Sequence, residues 1–119
     1  MDDFDKSLVV NVMLEQDALL ERYEWEPLAE GVYIATLYTT GEEGPRSALL
    51  HYLPGACVAK HLHRGFEHIL ILHGSQQDGD ATYRVGDLVI HKPGTHHAIV
   101  SPQGCIALGV WEKPVAFQG

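Results

Sequence analysis

The sequence predicts an all-β protein, a sandwich or barrel of short strands. Three observations carry that reading. From Gly31 onward, runs of roughly four to eight residues rich in β-branched and aromatic side chains follow one another. Turn residues (Gly, Pro, Asp) separate them at short intervals. Only one stretch, Asp17 to Glu24, spaces its apolar residues as a helix would, with Leu19, Leu20 and Tyr23 able to share a face.

Taken in order, Leu8 to Met13 reads as an edge strand and Asp17 to Glu24 as the helical segment. Together, residues 1–24 form an arm expected to pack on the main body, residues 25–119. Val32 to Thr39 is the first strand of that body, and the turn Gly41-Glu42-Glu43-Gly44-Pro45 follows. Ser47 to Leu53 is a strand closed by Pro54-Gly55. Phe66 to Leu72 is another, with Gly74 as its stop, and Asp78-Gly79-Asp80 is a hairpin turn. Ala81 to Val85 and Leu88 to His91 lead to the Pro93-Gly94 turn. Ala98 to Ser101, the turn Pro102-Gln103-Gly104 and the strand Cys105 to Glu112 complete the set.

The chain's 119 residues fit one domain, and 45% apolar residues can furnish one core. A formal net charge of −8 argues against a nucleic-acid partner and against an anionic membrane surface. No apolar run approaches the roughly 20 residues of a membrane span. The opening Met1-Asp2-Asp3-Phe4-Asp5 is acidic where a signal peptide is basic, so a cytoplasmic location is expected. Two cysteines, Cys57 and Cys105, make no disulfide framework.

Histidine is the unusual residue. His61, His63, His68, His73, His91, His96 and His97 all fall between positions 61 and 97. His61 and His63 are two apart, so on a strand they share a face and can meet one ion. Glu67 lies beyond Gly65, which can turn the chain and bring the carboxylate back to the same point. Glu67, Ile69 and Ile71 share one parity, as an inward face should. Imidazole with carboxylate suits first-row divalent ions better than calcium or magnesium.

These residues also fit a known pattern. Gly55, His61, His63, Glu67 and Gly74 meet every spacing of the first cupin motif. Gly86, Gly94 and His97 fit the second, although Lys92 fills its proline slot, Pro93 follows, and Ser101 stands at its asparagine slot. With Trp25 and Pro27 before Gly31-Val32, Leu53-Pro54-Gly55-Ala56, Tyr83-Arg84-Val85-Gly86-Asp87 and Gly104-Cys105, the chain resembles the cupin half of ChrR-type anti-sigma factors over residues 25–112. The resemblance implies a cupin jelly-roll barrel with one divalent transition metal ion inside (zinc, iron, manganese or nickel, with zinc or iron favoured). Its matched ligands are His61, His63, Glu67 and His97. Motif spacing selects His97 over His96, since neighbours on a strand face opposite ways. ChrR-type proteins also carry a helical zinc domain that grips the sigma factor. About 24 residues, without cysteine, precede the cupin region here, so anti-sigma activity is not carried over.

The remaining candidates each have an ordinary reading. His68, His73, His91 and His96 read as surface or lip histidines, with proton transfer or substrate contact as the alternative; His73 shares Glu67's parity and is the best of them for an inward role. Cys57 shares parity with His61 and reads as a packed thiol or a cavity-facing sensor. Lys60, Arg64 and Lys92 read as solvated charges or as anchors for an anionic substrate. The last strand is apolar on both parities and needs an outer layer, which a homodimer or the N-terminal arm can supply. A tetrahedral ion with four protein ligands is closed, which suits a small-molecule-responsive sensory or regulatory protein. An octahedral ion keeps two positions open, which suits the alternative, an iron(II)-dependent dioxygenase acting on a small diketone-like substrate.

Overall fold

The computed structural model describes residues 7–117. Among the described residues one helix, α1 (Gln16–Arg22), precedes ten strands: β1 (Glu26–Ala29), β2 (Val32–Thr39), β3 (Arg46–Tyr52), β4 (Ala56–Leu62), β5 (Glu67–Asp78), β6 (Ala81–Arg84), β7 (Leu88–His91), β8 (His96–Ser101), β9 (Cys105–Trp111) and β10 (Ala116–Phe117). All pairings among the described residues are antiparallel. The path β1-β2-β3-β9-β5-β8-β4-β10 runs through both walls of a nearly closed barrel. Strand β5 belongs to both walls: Glu67 to Gly74 pairs with β9, while Ser75 to Asp78 pairs with β6 and Gln77 meets Val100 of β8. None of the described helices is long and apolar enough to cross a membrane.

Strand alternation sorts the apolar residues into two layers. Inside the barrel lie Val32, Ile34, Leu50, Val58, Ile69, Ile71, Ile99 and Trp111. Outside one wall, Leu49, Leu72 and Ile106 are buried with Leu19 of α1, flanked by Leu14, Leu20 and Trp25. At seven residues the helix is too short to be stable by itself. Asp17 in its first turn and Arg22 in its last match the helix dipole, and burial of Leu19 holds it to the wall. The N-terminal segment is thus the outer layer over the Ile106 end of β9, while Val110 at the other end stays 37% exposed.

Two expectations about elements are corrected. Leu8 to Met13 is not a strand: Asn11 Oδ1 accepts from Met13 N at 3.0 Å, and this local bond favours a turn over pairing. Gly74 does not stop β5, which runs on to Asp78. The sequence marks no strand at β1 or β10, and it gives no bounds to β4, the strand that carries His61. The acidic start of the arm lies outside the described residues.

Bulges decide which residues face inward. In β4 the register slips between Val58 and His61, so both face the interior although three residues apart. Cys57 is thereby turned out and exposed, contrary to the parity it shares with His61. In β5 the register slips between Ile71 and His73. Gly74, next to the slip, has φ 74°, and a Cβ there would strike Gly104 O and lie 2.9 Å from the Cys105 Cα. Inward parity changes across this bulge, from Glu67, Ile69 and Ile71 to Gln76. His73 is therefore not inward; its Nε2 bonds to Leu14 O at 2.8 Å under the N-terminal segment.

Candidate metal centre

Four side chains from three strands and one turn meet inside the barrel. His61, next to the last residue of β4, lies beside its register partner His97 of β8. His63 lies just past β4, and Glu67 opens β5 after the Arg64-Gly65 bend. All four are buried, at 5%, 1%, 5% and 8% exposure for His61, His63, Glu67 and His97. One ligand atom from each lies within 4.8 Å of all the others. His96 is exposed.

The hydrogen bonds behind these rings define their tautomers. His61 Nδ1 lies 2.9 Å from the Ala59 carbonyl oxygen, so Nδ1 carries the proton. His97 Nδ1 lies 2.8 Å from Asp78 Oδ2, another pure acceptor. His63 Nδ1 lies 2.9 Å from Thr95 Oγ1, whose own proton is given to Lys92 O at 2.6 Å. Thr95 must then accept, and His63 Nδ1 must donate. In the neutral state all three Nε2 atoms carry lone pairs toward the same point. His61 Nε2 and His97 Nε2 are 3.0 Å apart. His63 Nε2 is 3.2 Å from Glu67 Oε1 and makes no hydrogen bond there. Such convergence of acceptors is repulsive unless a positive charge sits among them. The donor set therefore fits a divalent transition ion.

Glu67 is held from behind. Its Oε2 accepts the Trp111 indole N–H at 2.6 Å, leaving Oε1 for the histidines. Burial pushes the Glu67 carboxyl up, but His63, when its ring is charged, and the indole N–H outweigh it and hold it below its usual range. Burial lowers His97, against the pull of Asp78. Gly109 makes room for the indole: a Cβ at Gly109 would lie 2.6 Å from Trp111 Cζ2.

Residues 16–115 match the family model of the ChrR cupin-like domain. The chain belongs to that family. It is 36% identical over 101 residues to the anti-sigma-E factor ChrR of Cereibacter sphaeroides, covering 82% of this chain and 46% of that protein. The chain thus spans about half the length of this curated relative. A crystal structure of Rhodobacter sphaeroides SigE in complex with the anti-sigma ChrR matches at 34% identity and a TM-score of 0.68, over 77% of this chain and 50% of that one. A putative acetylacetone dioxygenase from Methylibium petroleiphilum matches at a TM-score of 0.76 over 96% of this chain and 85% of that one. At 17% identity that likeness is one of fold, the cupin barrel.

In this ChrR-type cupin, two residues not assigned to the site by sequence stand at it. His91 pairs with Glu67 in register and stacks on His63 at 4.7 Å. Burial and the neighbouring His97 take His91 down to about 4. Asp78 forms a second trio with His91 and His97. The pairing of β5 with β7 is non-local, so the sequence leaves His91 as one of four lip histidines with substrate contact as the alternative, and the β5 bulge hides Asp78 from any parity count. Of the basic candidates, Arg64 is tied to Glu43 at 2.8 Å on the surface, and Lys60 and Lys92 are exposed. A cavity of about 190 Å³ adjoins the cluster, walled by Ile34, Leu50, Val58, Ile69 and Ile99 and touched by His61, Glu67, His91 and His97.

Proposed function

We propose that this ChrR-type cupin holds one divalent transition metal ion through His61, His63, Glu67 and His97, and acts as a regulatory module that responds to a small molecule in its barrel. The observation that carries the metal is the convergence of three histidine Nε2 lone pairs and one carboxylate oxygen, each histidine ring fixed by a bond to its Nδ1. The bound ion would supply a fixed positive charge and a Lewis-acid centre facing the cavity. The protein's own part is to orient: Asp78, Thr95 and Ala59 O set the rings, and Trp111 sets Glu67. Belonging to the ChrR cupin-like family supports the regulatory reading. Elemental analysis of untagged protein tests the metal, with one ion per chain expected. Two tight ions, or none after supplementation, would overturn it.

The cavity beside the cluster favours a second reading, an iron(II)-dependent dioxygenase, because a substrate needs room next to an open coordination position. Oxygen uptake by iron-loaded protein with a small β-diketone separates the two readings. We further propose a homodimer through the outer face of β7, β5 and β9. There the exposed Leu88, Ile90 and Val110 lie on paired strands and the N-terminal segment does not cover them. A monomer by light scattering at micromolar concentration would refute it.

A further inference from the structure

Among the described residues, the cavity has one Arg or Lys in its lining, Arg46. Arg46 opens β3 beside Trp111 of β9, and its guanidinium lies over the indole, 5.5 Å from the ring centroid. That indole gives its N–H to Glu67. One aromatic ring thus carries the arginine on its face and the Glu67 carboxylate at its edge. The Arg46 Nε is buried and makes no hydrogen bond, and no described carboxylate pairs with the guanidinium. Arg46 is a planar donor fork at a cavity whose acidic wall residue, Glu67, has Oε2 on the Trp111 indole and Oε1 turned toward the histidines. A buried unsatisfied donor is costly, and a guanidinium is matched best by a carboxylate.

We infer that the cavity binds a small organic acid, its carboxylate on Arg46, its short apolar body against Ile34, Leu50 and Ile99, and a second oxygen turned toward the His61–His97 end. The space corresponds to about six waters, room for a molecule of roughly six to ten non-hydrogen atoms. A 2-oxo acid with a short branched side chain has this size and both oxygen functions. Only the second contact rests on the metal reading above; the Arg46 contact stands apart from it.

Zinc-loaded and chelator-treated full-length protein are titrated calorimetrically with 4-methyl-2-oxopentanoate and with its uncharged amide. The acid is expected to bind at least tenfold more tightly than the amide, in line with a charge-assisted bidentate pair. Arg46→Gln should bring the acid down to the amide's affinity without changing zinc stoichiometry, and Arg46→Lys should keep part of the preference. Equal binding of acid and amide by the native protein, or an unchanged preference in Arg46→Gln, overturns the inference. So does an absence of acid binding up to about 10 mM. If zinc fails to bind but the chelated protein still prefers the acid through Arg46, the metal reading falls and this one stands.

Discussion

Asp78 offers the sharpest check on how the ligand cluster is built. Its Oδ2 accepts the His97 Nδ1–H at 2.8 Å, which directs the His97 Nε2 lone pair at the point where the four ligand atoms converge. A hydrogen bond to a charged acceptor contributes about 1.5–3 kcal/mol, or roughly 10–100-fold in affinity. The Asp78 side chain is 24% exposed, so solvent screening places the effect in the lower half of that span. Asp78→Asn keeps an acceptor oxygen but loses the charge, and should weaken zinc binding by about tenfold. Asp78→Ala loses both and frees the ring to turn, which moves the loss toward about 100-fold. Competition with a chromophoric chelator at neutral pH measures both. Loss of His97 itself should cost more than either. Unchanged affinity in Asp78→Ala, or a loss in Asp78→Asn as large as in His97→Ala, would refute the orientation argument.

Three further outcomes are expected. His97→Ala should abolish tight metal binding while His96→Ala, altering an exposed ring, keeps it; the reverse pattern in apo-protein titrations would mean a β8 register wrong by one residue. Gly109→Ala should drive the indole off Glu67 and lower zinc affinity about tenfold with the barrel still folded by circular dichroism; native affinity would show that the Trp111 bond does not position the carboxylate. The chelated protein should lose stability as pH falls from about 6.5 toward about 4, because the unfolded chain takes up protons there that folded His91 and His97 refuse. The loaded protein should fall more steeply, since protons also compete with the ion. A melting temperature flat with pH in the chelated protein would contradict the first statement, and parallel curves the second.

The all-β class, the place of nearly every turn and the four residues that converge are legible along the chain. These features are local. Turn chemistry sits in two or three adjacent residues, and His61, His63 and Glu67 lie within one short motif whose alternation and bend can be counted along the chain. His97 could be told from His96 because the cupin motif it resembles sets its histidine at that spacing from Gly94. What depends on register between distant strands emerges only in the folded barrel. The bulge in β4 turned Cys57 outward, and the bulge beside Gly74 sent His73 to the outer layer. The β5 bulge also left Asp78 bonded to His97, while the β5–β7 pairing set His91 against Glu67. Arg46 reached the cavity because β3 pairs with β9, beside Trp111, sixty-odd residues away. Each inserted residue reverses the faces of everything after it. Whether one is inserted depends on a close approach such as that of Gly74 to the Gly104 carbonyl, which no period in the sequence records.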